Sequence, residues 1–127
     1  MKYLLDTHTV LWSFNEVGKL SKTALDVIND PASKKYVSIA SAWELAIKIS
    51  TGKLVFDGGT DLFYRTAREY GFGLLPIKRS HIKTLETLPL LHRDPFDRIL
   101  VASAMAEEMS LITADENVPR YDVACLW

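Results

Sequence analysis

Five acidic residues carry the chemistry available to this chain. Asp6 follows the apolar run Tyr3-Leu4-Leu5, and Asp115 follows Leu111-Ile112-Thr113 with Ala114 between. Glu44 lies in Ser41-Ala42-Trp43-Glu44, four residues before Lys48, and Asp94 and Asp97 bracket Pro95-Phe96. Each has a local structural explanation. Asp6 and Asp94 read as helix N-caps. Glu44 fits a capping box opened by Ser41 and an i,i+4 pair with Lys48. Asp97 suits the positive end of a helix dipole, and Asp115 suits a turn. Their joint occurrence is harder to explain locally, because four separate segments each place an acid just after a strand or near a helix start. Clustered carboxylates without matching cations are the donor set of Mg²⁺ or Mn²⁺. Beside a phosphodiester, such an ion activates water and neutralises developing negative charge.

These acids need a scaffold. Lys2 to Leu5 reads as a strand, followed by a helix over Thr7–Phe14 and a loop through Leu20. Ser21 caps a helix to Asn29, where Asp30-Pro31 ends it. Tyr36–Ala40 is the second strand, and Ser41 caps a helix that stops at Gly52. Asp61–Tyr70 is helical, Leu74–Ile77 is the third strand, and Ser80 opens a helix to Leu88. A helix with proline at its first position runs from Pro95 to Met109. Leu111–Thr113 and Val123–Leu126 complete the set as fourth and fifth strands. Strands alternating with helices imply a parallel sheet covered on both faces, with its ligand site beyond the strands' carboxyl ends.

Two helices carry sharper information. After Asp97 and Arg98, Ile99 to Ala106 holds no charge, so this helix is buried on most sides and points Asp94 and Asp97 out of the protein's middle. At i,i+3 the two carboxylates stand about 5–6 Å apart and call for a cation. In the other helix, Ala42, Trp43, Leu45, Ala46, Ile47 and Ile49 leave a narrow sector for Glu44 and Lys48, which turns Glu44 toward a cleft. Trp12, Trp43 and Phe96 read as core or interface residues rather than base-stacking platforms. His8, His81 and His92 are too scattered for a zinc site and read as surface or loop residues. His92, Arg93, Arg98 and Lys48 are the candidate phosphate contacts.

Composition bounds the rest. The 127 residues fit one domain spanning 1–127, with 48% hydrophobic and 24% charged residues. Fifteen Lys plus Arg face sixteen Asp plus Glu, and the two halves of the chain are equally balanced. A dedicated polyanion binder is usually basic, so contact with nucleic acid must come from a local patch or a bound cation. The longest apolar run, Val123 to Trp127, is far below the ~20 residues of a membrane span. Asp6 interrupts the first apolar stretch, so no signal peptide is expected, and the lone Cys125 offers no intrachain disulfide. A cytoplasmic protein of bacterial type is the simplest expectation. No P-loop or Gly-x-Ser-x-Gly elbow occurs.

Four blocks together resemble the PIN-domain family, and within it the VapC-type toxins of bacterial type II toxin–antitoxin systems. They are Leu4-Leu5-Asp6-Thr7-His8, Ser41 through Lys48, His92-Arg93-Asp94-Pro95-Phe96-Asp97-Arg98, and Leu111-Ile112-Thr113-Ala114-Asp115. The resemblance implies a three-layer α/β/α fold with a five-stranded parallel sheet ordered 3-2-1-4-5. It implies Mg²⁺- or Mn²⁺-dependent endoribonuclease activity, with the family's acids falling on Asp6, Glu44, Asp97 and Asp115. Thr7 and Thr113 match hydroxyl residues that support the site, and Asp94 is an additional acid that either ligates metal or only caps the helix. Val118 stands where many relatives carry an aromatic. A homodimer and a cognate antitoxin partner are likewise implied, with Trp12 and Phe14 as interface candidates by analogy. Two other classes compete: a non-catalytic PIN-fold binding module, and another phosphate-handling α/β hydrolase. A haloacid-type phosphatase would need an acid at His8, and a receiver domain would need one ending the third strand.

Overall fold

The computed structural model describes all residues from Met1 to Trp127. Five short strands, β1 (Lys2–Leu5), β2 (Lys34–Ser38), β3 (Gly73–Leu75), β4 (Ser110–Ile112) and β5 (Cys125–Leu126), pair in parallel in the order β3-β2-β1-β4-β5. Helices α1 (Thr7–Asn15), α2 (Lys22–Asn29), α3 (Ile39–Ser50) and α4 (Gly59–Glu69) lie between β1 and β3 in the chain. Helices α5 (Arg79–Glu86) and α6 (Pro95–Glu107) occupy the return from β3 to β4. The chain thus moves outward from β1 to β3, then crosses back to β4. Right-handed crossovers put the helices of these two journeys on opposite faces of the sheet.

Side-chain alternation along β1 and β4 divides the core accordingly. Leu5 and Ile112 pack with Val10, Ala24, Leu45 and Phe63 from α1–α4. Leu4 and Leu111 face the other way, against Ile99, Leu100, Val101 and Ala104 of α6. Successive residues of a strand point to opposite faces, and a parallel sheet buries both. Six consecutive residues of α6, Ile99 to Ala104, are buried, as its uncharged sequence predicts. Its amino end therefore opens at the carboxyl ends of the central strands.

Several expected boundaries move: β2, β4, β5 and α4 start or end one to two residues from the expected positions, and three other shifts bear on the site. Ser38, not Ser41, caps α3: it ends β2 opposite Leu75, and its Oγ accepts the Ala40 N–H at 3.0 Å. Ser41 is instead buried inside the helix. α5 begins at Arg79 after Lys78, ahead of Ser80, and β3 spans Gly73–Leu75 rather than Leu74–Ile77. Gly73 begins pairing because its backbone sits against the Tyr36 ring, where an added Cβ would stand 2.9 Å from Cδ1. Ser21 caps α2 as expected, accepting from Ala24 N. No helix is long and apolar enough to cross a membrane.

Candidate metal centre

Asp6 ends β1 and caps α1. Its backbone N–H donates to Ile112 O at 3.1 Å, locking the ends of β1 and β4 together. Its Oδ1 accepts the Thr9 N–H at 2.8 Å. The cap is real, yet this carboxylate is buried and its second oxygen has no protein donor. Thr9 continues the link through Oγ1, which donates to Ile112 O.

Thr7 ties α1 to α3. Its Oγ1 donates to Ser41 Oγ at 2.9 Å, both residues being buried. Ser41 and Glu44 share a helix face at i,i+3, so this bond orients the Glu44 face toward the Asp6 end of α1. With α3 beginning at Ile39, Glu44 is the sixth helical residue and no capping-box partner. Glu44 is 7% exposed and its carboxylate pairs with Lys48 at 2.9 Å, while Trp43 beside it is 58% exposed. That inverts the hydrophobic order: an acid is buried and a tryptophan faces water. Trp43 lies outside the core, its ring set edge-on against Phe96 at 5.1 Å. Proteins break local rules where function demands it.

Asp94 caps α6, accepting the Phe96 N–H at 2.9 Å, and Pro95 occupies the first helical position. Asp97 stands at the third. The tightest acidic grouping is here: ligand atoms of His92, Asp94 and Asp97 lie within 4.8 Å of one another. Asp6, Glu44 and Asp115 stand outside that group. His92 Nε2 and Asp97 Oδ2 are 2.8 Å apart. Burial pushes the Asp97 carboxyl up from 3.8 to about 6; the His92 hydrogen bond pulls it back, and repulsion from Asp94 and Asp115 adds to the rise. Asp115 thus reaches Asp97 through its charge. Thr113 Oγ1 accepts the Asp115 N–H at 3.0 Å and Asp115 Oδ1 accepts from Asn117 at 2.7 Å, which holds the turn after β4.

The donor set fits a hard divalent cation. His92, Asp94 and Asp97 form the close donor group, and Asp115 acts on Asp97 through its charge. The buried Asp6 and Glu44 stand apart from it at the end of β1 and in α3, Glu44 paired with Lys48. Oxygen donors of this kind suit Mg²⁺ or Mn²⁺ rather than a tetrahedral zinc site. Among the candidate phosphate contacts, Arg93 is exposed at the rim. Arg98 is placed differently. Its guanidinium donates to Pro89 O, Leu88 O and Tyr121 Oη, which makes it a strut under the site rather than a free cation.

Two features were not expected from the sequence. Buried Tyr121 accepts through Oη from Leu91 N at 3.2 Å, His92 N at 2.9 Å and Arg98 Nη1 at 2.9 Å. Arg120 adds a bond to Leu91 O. Together they hold the segment that presents His92 and Asp94. His81, expected at the surface, is fully buried. Its Nδ1 accepts the Lys78 N–H, so Nε2 carries the proton toward Glu107 Oε2 at 2.7 Å. Tyr121→Phe is expected to cost about 1–3 kcal/mol, because two partly buried backbone donors lose their acceptor. Urea unfolding, with amide exchange read at Leu91 and His92, checks this.

Comparison with known proteins agrees with the fold. A family profile described as the PIN domain matches residues 3–124. The chain belongs to the PIN-domain family. Among solved structures, this PIN domain resembles VapBC2 from Rickettsia felis bound to a promoter DNA fragment, at TM-score 0.73 and 13% identity, covering 100% of this chain and 99% of that one. It also resembles FitAcB from Neisseria gonorrhoeae at TM-score 0.66 and 14% identity, with 98% and 96% of the two chains covered. A toxin–antitoxin complex from Klebsiella pneumoniae follows at 0.59 and 17%, with 89% and 86% covered. Among curated proteins no sequence match is found. The three-layer architecture and the 3-2-1-4-5 order are those of the expected fold.

Proposed function

We propose that this PIN domain is a Mg²⁺- or Mn²⁺-dependent endoribonuclease, the toxin of a toxin–antitoxin pair, acting in the cytoplasm as a homodimer restrained by its antitoxin. One observation carries the reading: ligand atoms of His92, Asp94 and Asp97 lie within 4.8 Å of one another in a partly buried setting that also feels the charge of Asp115. Such an arrangement costs folding energy unless positive charge fills it. The partner proposal rests on likeness to structures of toxin–antitoxin complexes.

In this reading Asp6, Glu44, Asp97 and Asp115 hold the ion, and Asp94 joins them while capping α6. The bound ion would supply charge neutralisation and an activated water. The chain's own groups do the positioning. Thr7 and Ser41 fix the Asp6 and Glu44 segments, Thr113 fixes Asp115, and Tyr121 and Arg98 fix the loop before α6. His92 holds Asp97 in place through its 2.8 Å contact. Lys48 and Arg93 supply positive charge where a phosphate would approach.

The test is cleavage of end-labelled single-stranded and structured RNA by the purified protein. Cleavage is expected with Mg²⁺ or Mn²⁺ and is expected to disappear in EDTA. Full activity in EDTA, or none with either metal, would remove the ribonuclease reading.

A further inference from the structure

Sequence reasoning places Trp12 in the core or an interface; the structure places it in a column of rings. His8 lies on Trp12 with ring centroids 5.7 Å apart and planes 28° from parallel. Trp127 leans on Trp12 at 5.9 Å and 58°. Lys19 Nζ, ion-paired with Glu16, stands 5.8 Å from the centre of the Trp12 ring. Trp12 is half-buried by these neighbours, whereas His8 and Trp127 are exposed. The column ends in open ring surface.

Its position is set by backbone bonds. His8 is in the first turn of α1, two residues beyond Asp6. Thr113 N donates to Leu126 O at 3.1 Å, so Trp127 starts alongside the Thr113–Asp115 segment. The column therefore stands at the same strand-end face as the acids, on the β4–β5 side.

We propose that His8 and Trp127, backed by Trp12, form a base-stacking subsite for single-stranded RNA next to the metal centre. This rests on the ribonuclease reading and adds how the substrate is held. A nucleobase laid on the open ring face continues the stack. Ring stacking of this type tolerates any base and suits a protein whose net charge of −1 gives little general attraction for a polyanion. A protein partner would need wider aliphatic surface. Of the large exposed aliphatic side chains, only Val17 lies on α1 or the short turn that follows it.

The experiment compares a fluorescein-labelled single-stranded oligoribonucleotide with an abasic oligomer of equal length, titrated by anisotropy with Ca²⁺ in place of Mg²⁺. Wild type is expected to bind the base-bearing oligomer about tenfold more tightly. His8→Ala and Trp127→Ala, both at exposed positions, are expected to lose most of that preference and to raise KM for RNA cleavage while kcat changes little. Equal binding of both oligomers by wild type, binding of neither, or an undiminished preference in both variants would overturn the subsite. So would light scattering that shows the variants turned monomeric with base preference unchanged, which would make the column an interface between copies. Base preference without any metal-supported cleavage would leave the subsite standing and remove the ribonuclease reading instead.

Discussion

Asp97→Asn is expected to lower metal-supported RNA cleavage by more than about 100-fold while making the metal-free protein more stable at neutral pH. The first effect follows from removing a ligand carboxylate, since outer-shell partners alone cost 10–100-fold in affinity or activity. The second follows from linkage. Folding raises the Asp97 pKa from 3.8 to about 6, so the folded state binds this proton more tightly than the unfolded chain does. Its stabilising contribution is complete below pH 3.8 and is lost as pH rises through 6. At pH 7 the ionised form therefore costs up to about 3 kcal/mol, at 1.36 kcal/mol per pKa unit. Asparagine carries no such cost and still accepts from His92. Melting of both proteins in EDTA between pH 4 and 7.5 should show the variant's advantage growing with pH. A variant less stable than wild type at pH 7, and fully active, would reduce Asp97 to a helix-dipole residue. Mg²⁺ should raise the wild-type melting temperature by mass action and the variant's much less.

His81→Ala carries the largest expected loss of stability, about 3 kcal/mol. His81 is fully buried and bridges α5 to α6, from Lys78 N on one side to Glu107 Oε2 on the other. Truncation leaves a cavity, strips the Lys78 N–H of its acceptor and leaves Glu107 with Lys78 alone. The damage should reach the site, because α6 carries Asp94 and Asp97 at its amino end. Glu107 has its own pH signature. The His81 hydrogen bond, then Lys78, hold its carboxyl below the ordinary 4.5. Its contribution is present above that value and is lost as pH falls through the lower folded pKa. Glu107→Gln should therefore cost stability at pH 7 and less on acidification. Urea unfolding at pH 7 and pH 3.5 measures both variants; an unaffected His81→Ala protein would show that the bridge is idle.

The alternation of strands and helices was legible from local signals, whereas the 3-2-1-4-5 sheet order came only from the resemblance to the PIN-domain family. Apolar runs of three to five residues mark the strands, and the acids after the first and fourth, Asp6 and Asp115, mark the strand-end face. The start of α3 was not legible, since Ser38 and Ser41 are both good caps in sequence. The choice is made by pairing: Ser38 is the last residue opposite β3, while Ser41 is taken by Thr7 from another helix. Glu44 then changes meaning, from a cap partner to a buried acid inside α3. The exposure of Trp43 was missed for a related reason. A helical wheel counts apolar residues, but α3 turns its Ala42, Glu44 and Leu45 side inward and leaves Trp43 to Phe96. Tyr121 and His81 act on partners 23 to 30 residues away, beyond any spacing rule. His81 also caps α5 locally by accepting the Lys78 N–H, but nothing in the sequence shows its second partner, Glu107, or those of Tyr121.

The central claim is that acids from four segments of the chain meet to hold one class of cation. Crystals of the protein soaked in Mn²⁺ test it directly by anomalous scattering. The predicted result is a peak bounded by the carboxylates of Asp6, Glu44, Asp97 and Asp115, with Asp94 beside it. A fully soaked crystal with no peak there, or with Mn²⁺ only at surface carboxylates elsewhere, would contradict it.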